Sequence, residues 1–310
     1  MSPPLSRGEQ NNKVTLTFDL KQPFHIAYVV IKYAISPRAK TWVLERSVDG
    51  ENWDAWQYFS QDRSQCRTKF DKVPSADGEY SSDSDVICTD EYTEINPGQG
   101  GEVIVSLVNG RPSQDSFSTS NELQEFTRAT KIRIRLLEVN THYGHFMSAG
   151  DNDPKVFQRY FYAIKDVEIG GRCVCNGHAD RCVEKDGEYH CECQHNTTGR
   201  NCDQCAANHV QKKWRAGTPG NTNECERCNC NGHTETCFYD EQVDANKQSM
   251  DLAMNYEGGG VCQNCGDNTE GNNCERCKAG FWRPHDAPLS DPCLRKYKSQ
   301  SEKIITKFNQ

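Results

Sequence analysis

Sixteen of the chain's 18 cysteines fall within residues 173–293, a stretch of 121 residues. At about 13% cysteine, a polar segment of this kind cannot fold on burial alone. Covalent cross-links must carry it, as in secreted disulfide scaffolds. Residues 1–172 hold only Cys66 and Cys88, so they face a different folding problem. Counted from Cys173, the gaps between cysteines are 1, 6, 8, 1, 8, 2 and 19, and from Cys228 they are 1, 6, 24, 2, 8, 2 and 15. Four of the seven slots agree, and the flanking residues agree too. Cys173-Val174-Cys175-Asn176-Gly177-His178 matches Cys228-Asn229-Cys230-Asn231-Gly232-His233. His195-Asn196-Thr197-Thr198-Gly199 through Cys202 and Cys205 matches Asp267-Asn268-Thr269-Glu270-Gly271 through Cys274 and Cys277. The segment is a tandem duplication with eight cysteines per copy, expected to stack as an elongated rod. Zinc competes for C-x-C and C-x-x-C pairs near histidine. The even count, the irregular gaps and the lack of a recurring ligand quartet favour disulfides.

The first region reads as strands. Val14 to Leu20 alternates apolar and polar residues, and Phe24 to Tyr33 is β-branched and aromatic. Trp42 to Ser47 leads through Val48-Asp49-Gly50 toward Trp53 and Trp56, a hairpin signal. Val103 to Val108, Lys131 to Leu136 and Tyr160 to Val167 complete the set, and Leu123 to Ala129 is the one expected helix. Six or more short strands with polar turns predict an all-β sandwich. The basic residues at 131–135 read as the solvated face of an alternating strand. His142, His145, Asp151 and Asp153 lack the spacing of a closed metal site and read as a polar loop.

Net charge is −8 and mean hydropathy −0.85, which argues against nucleic acid as the main partner. No apolar run approaches the ~18 residues of a membrane helix, so no membrane insertion is expected. No Gly-x-Ser-x-Gly or HExxH motif occurs, and the carboxylates lie scattered at turns; no enzyme and no catalytic residue is expected. Met1-Ser2-Pro3-Pro4-Leu5 has neither a basic nor an apolar leader region. Because a disulfide framework needs an oxidising compartment, an incomplete start is expected.

The repeated Cys-x-Cys-Asn-Gly-His and His-Asn-Thr-x-Gly-x-x-Cys-x-x-Cys patterns resemble laminin-type EGF-like modules. The preceding strands, including Phe24 to Tyr28, Trp42 to Ser47, Val105 to Pro112 and Tyr160 to Gly171, resemble the laminin N-terminal domain, which netrins share. Leu123 to Thr130 and the Gly144-His145 loop look more like a laminin α chain. The resemblance implies a mostly β fold: a jelly-roll β-sandwich, N-terminally truncated, over 1–172, then disulfide-rich modules at 173–227 and 228–293, then a divergent basic tail at 294–310. It implies the pairs Cys173–Cys182, Cys175–Cys191, Cys193–Cys202 and Cys205–Cys225 in the first module. In the second it implies Cys228–Cys237, Cys230–Cys262, Cys265–Cys274 and Cys277–Cys293. Parity then joins Cys66 to Cys88. The cysteine pair that α chains often add to the first module is absent, with Thr198 and Ala206 standing in its place.

The implied function is structural: a secreted, basement-membrane short-arm tip that binds laminin β and γ chain N-terminal domains and supports cell adhesion, with cell-surface receptors as further partners. The family's polymer contact falls at Pro97-Gly98-Gln99-Gly100-Gly101-Glu102, where Pro97, Gly101 and Glu102 are kept. No cofactor or metal ligand is expected here, since most of the full-length domain's calcium ligands would precede this start. Truncation is expected to uncover Phe24, Tyr28 and Trp42 and to weaken network formation. Asn196-Thr197-Thr198 is the single glycosylation sequon. The alternative is a netrin-like guidance ligand that binds cell-surface receptors.

Overall fold

The computed structural model describes residues 1–2, 4, 13–76, 78–93, 101–141, 158 and 160–296. It divides into two compact units, Met1–Val174 and Cys175–Gln310.

In the first unit, strand β1 (Val14–Tyr33) is a single 20-residue strand. Its alternating half-buried and exposed residues carry it through Leu20. Its register then breaks between Asp19 and Phe24. Lys21 takes φ 62° there, and its N–H donates to Asp19 Oδ1 at 2.8 Å. This corner divides β1 between two layers. Val14 to Asp19 pair antiparallel with β6 (Arg128–Val139), Phe24 and His25 pair with both β6 and β7 (Ile164–Cys173), and Ile26 to Tyr33 run beside β7 and, from Tyr28, beside β5 (Gly101–Ser106). The first layer continues from β6 to β2 (Ala39–Ser47), β3 (Asp54–Phe59) and β4 (Cys88–Thr89). One core joins the layers. Trp42, Leu44, Trp56, Phe59, Ile132 and Ile134 meet Ile26, Val29, Ile31, Val103 and Val105 in a single buried cluster. The chain is mostly β and opens with a sandwich whose layers stay continuous through β1, all seven strands forming one hydrogen-bonded sheet.

Several boundaries differ from expectation. The strands expected at 14–20 and 24–33 are one. The last strand begins at Ile164 rather than Tyr160. Tyr160 and Tyr162 are buried, but the backbone at Ala163 serves the bend after β1: its carbonyl accepts from Ala34 N at 2.8 Å and its N–H donates to Ser36 Oγ at 3.1 Å. Helix α1 (Arg63–Phe70) has no apolar stripe to announce it. It is started by Asp62, which accepts from Gln65 N, and pinned by buried Cys66. Helix α2 spans Asn121–Thr127, begun by Ser120 Oγ accepting from Leu123 N at 3.1 Å. Trp42 keeps full cover, contrary to expectation. It is 1% exposed and stacked on Phe59 with centroids 3.7 Å apart.

The second unit repeats one plan twice. The first copy carries the hairpin β8 (Cys182–Lys185) with β9 (Glu188–Cys191) and the short pair β10 (Thr197–Thr198) with β11 (Gln204–Cys205). The second carries β12 (Cys237–Tyr239) with β13 (Gly260–Cys262) and β14 (Thr269–Glu270) with β15 (Arg276–Cys277). Its longer gap before Cys262 holds helix α3 (Glu241–Ala245) and a turn built on Asp251, whose Oδ1 accepts from Ala253 N and Asn255 N at 2.8 and 2.9 Å. Gln211 of the first copy is fully buried against the second. Its Nε2 donates to Ser249 Oγ and Glu257 O at 3.2 and 2.9 Å.

Candidate functional site

Core-facing Val29, Ile31 and Tyr33 send their neighbours Tyr28, Val30 and Lys32 to the opposite face of the second layer. Register places Ser106, Ile104 and Glu102 of β5 beside them on one side, and Gly170, Glu168 and Asp166 of β7 on the other. Gly101 opens β5 at φ 140°, a backbone conformation that glycine adopts without strain. Gly170 is needed because the Tyr28 ring occupies its side-chain space: a Cβ would sit 2.2 Å from the ring carbon Cζ.

The face is acidic with an apolar centre. Lys32 hydrogen-bonds Glu168 and lies 3.8 Å from Asp166 Oδ2. The Glu168 bond and the surrounding carboxylates, Glu102 included, push the Lys32 ammonium above its ordinary pKa. One cation therefore stands against three carboxylates. Ile104 is 51% exposed in mid-strand, and Tyr28 is 43% exposed. An exposed isoleucine rimmed by carboxylates can dock a partner by burying apolar area, and the acidic rim selects a cationic margin.

Further along β1, His25 Nδ1 lies 3.0 Å from Gln124 O. Burial pushes its pKa down to about 4, with Arg172 and Arg128 acting in the same direction. On the first layer, Glu45 takes Arg133 at 2.6 Å and Arg135 at 3.5 Å, and Lys69 pairs with Glu138 Oε2 at 2.5 Å. The basic strand at 131–135 is thus neutralised in part by its own sheet. Thr41, Glu45, Lys69, Arg135 and Glu138 line an open cavity of about 600 Å³ there.

Of the sequence-read polymer contact, Glu102 is therefore on the acidic face, whereas Gly101 pairs with core-facing Tyr33 on the other side of the strand. Pro97 lies outside the described residues, as do His142, His145, Asp151 and Asp153. Among the described residues no group of three or more His, Cys, Asp or Glu is placed to hold a metal ion. The sequence alone does not single out Tyr28, Lys32, Ile104, Asp166 or Glu168 as members of this face. Ile104 was hidden in an uninterrupted apolar run, although Val103, Val105 and Leu107, all buried, imply that it points outward.

The cysteines are cross-linked as Cys66–Cys88, Cys175–Cys191, Cys193–Cys202, Cys205–Cys225, Cys228–Cys237, Cys230–Cys262, Cys265–Cys274 and Cys277–Cys293. Cys173 and Cys182 are also disulfide-bonded, and no described cysteine is free. Asn196 is exposed, with φ 54°.

A β-sandwich followed by two eight-cysteine modules defines a multidomain, disulfide-built protein. The family model for the Laminin N-terminal (Domain VI) matches residues 1–171, and that for the Laminin EGF domain matches 173–226 and 228–293. Human laminin subunit alpha-3 is 48% identical over 294 residues, covering 94% of this chain and 9% of that protein. The laminin subunit alpha of Drosophila melanogaster is 47% identical over 307 residues, 96% of this chain and 8% of that protein. Zebrafish (Danio rerio) laminin subunit gamma-1 is 38% identical over 273 residues, 88% of this chain and 16% of that protein. The chain belongs to the laminin family, and it spans less than a fifth of the length of these relatives.

Proposed function

We propose that this chain is an α-like short-arm tip, secreted into basement membranes, that assembles with the N-terminal domains of laminin β and γ chains. Its role is structural rather than catalytic, and it supports adhesion through the network it helps build. The observation that carries the reading is the acidic face around Ile104, which begins at Glu102, the last residue of the sequence-read contact segment. The higher identity to the two α chains than to the γ chain supports the α assignment.

Ile104 is 51% exposed, so burying that part contributes ~0.75–1.5 kcal/mol, a factor of roughly three to ten in affinity, and an aspartate there adds the cost of desolvating a charge. The test is analytical ultracentrifugation of the chain with β and γ N-terminal fragments. The expected result is a ternary species that Ile104→Asp weakens at least tenfold while circular dichroism stays unchanged. A correctly folded Ile104→Asp chain that assembles as tightly as the parent overturns the assignment of this face. The absence of any complex with the parent chain overturns the tip reading itself.

A further inference from the structure

The Asn196 amide nitrogen is committed to two hydrogen bonds within its module. Its Nδ2 donates to Cys225 O at 3.1 Å and to Glu224 Oε1 at 2.8 Å. The duplicated module shows which bond belongs to the fold. Asn268, its counterpart, takes φ 60° and donates from Nδ2 to Cys293 O at 3.2 Å. In both copies the amide therefore clasps the carbonyl of the module's last cysteine. The backbone supports the clasp from the residue before, since Cys225 N donates to His195 O at 3.1 Å and Cys293 N to Asp267 O at 3.0 Å. The Glu224 bond is the additional one, and Glu224 is exposed.

The sequon Asn196-Thr197-Thr198 exists in the first copy alone, because Glu270 stands where the second would need a hydroxyl. Asn196 and Thr198 are both exposed, whereas Thr197 between them is buried. We propose that Asn196 carries an N-linked oligosaccharide that displaces Glu224, while its remaining amide hydrogen keeps hold of the Cys225 carbonyl. The proposal rests on the secreted reading above. The donor is a lipid-linked oligosaccharide pyrophosphate. A bond forms between Nδ2 and the sugar C1, the bond from C1 to the pyrophosphate oxygen breaks, that oxygen leaves with the electron pair, and one amide proton goes to the transferase base. An amide retains one N–H after this step, which is the number the clasp needs.

The geometry also sets the order of events. In the closed module both amide hydrogens are engaged and the backbone is held in the left-handed region, so transfer acts on the open chain before Cys205–Cys225 forms. Disulfide closure then seats an asparagine that is already glycosylated.

The experiment uses the full chain, directed into the secretory pathway of cultured animal cells, with two variants. Enzymatic deglycosylation in heavy-oxygen water followed by mass spectrometry reads occupancy at each asparagine. The parent should show Asn196 converted, Thr198→Ala should show none, and Glu270→Thr should add a second occupied site at Asn268. Adding reductant during the synthesis pulse, which holds the module open, should keep occupancy the same or raise it. Secreted parent chain with Asn196 unmodified overturns the site, and occupancy that falls under reductant overturns the order. A parent chain retained in cells but carrying the glycan contradicts the secreted reading and still supports the site.

Discussion

Replacing Arg111 by methionine should unfold much of the first unit's stability margin. Arg111 is 1% exposed. Its Nε donates to Leu107 O at 2.9 Å, and its Nη1 donates to Asp83 O at 2.9 Å and Asp85 O at 3.1 Å. The guanidinium lies 4.0 Å from the centroids of both the Tyr80 and Phe126 rings. It therefore ties the turn after β5 to the 83–85 segment and to helix α2. Methionine has a similar length, so the cavity left behind is small and the loss is mainly polar. Each charge-assisted hydrogen bond contributes ~1.5–3 kcal/mol, and each desolvated cation–π contact ~1–2 kcal/mol. The guanidinium's own desolvation offsets part of that sum, so the net cost should be about 3–5 kcal/mol, as when one partner of a buried ionic group is removed. That is a large part of a domain's ~5–15 kcal/mol. For a unit of this size it corresponds to a fall in melting temperature of roughly 6–20 °C. Near-ultraviolet circular dichroism, which follows buried Trp42 and Trp56, is the assay. A loss below ~1 kcal/mol would show that the carbonyls find water or other donors, and the argument from buried satisfaction would be wrong.

His25 binds its proton less readily in the folded unit, at about 4 against an ordinary 6.5. The unfolded chain therefore takes up a proton first. Stability is full above pH 6.5, declines as pH falls from 6.5 to about 4, and is level below that. The ceiling is ~3 kcal/mol, reduced to roughly 1–2 by solvent access, and His25→Asn should flatten urea midpoints across this window; an unchanged slope refutes the assignment. Removing the Cys66–Cys88 bridge, whose separation is 22 residues, by a paired serine substitution should cost about 3 kcal/mol, read as an earlier urea midpoint. Thiol titration of denatured secreted chain should find no reactive cysteine, and two or more per chain would contradict the cross-links. Gly170→Ala must push the half-exposed Tyr28 ring aside, so it should cost only ~1 kcal/mol of stability yet weaken ternary assembly in sedimentation.

The cysteine spacing alone made the two-copy plan legible, because a module held by cross-links is written in local intervals. Alternation from Val14 to Leu20 and from Lys131 to Leu136 likewise placed a sandwich strand and its inward face, because a pleated strand shows its burial every second residue. What sequence could not supply is what depends on the partner across the sheet. The corner at Lys21, which makes one strand of two and lets it serve both layers, follows from register with β6, β5 and β7 rather than from a turn motif. Arg111 reads as a turn residue until Tyr80, Asp83, Asp85 and Phe126 close around it. Ile104 reads as core in a run of apolar residues, and only its pairing with Val30, whose neighbours Val29 and Ile31 face the core, turns it outward. Asn196 announced a sequon, but the carbonyl of Cys225 lies 29 residues away, and only the fold brings that second claim on its amide into reach.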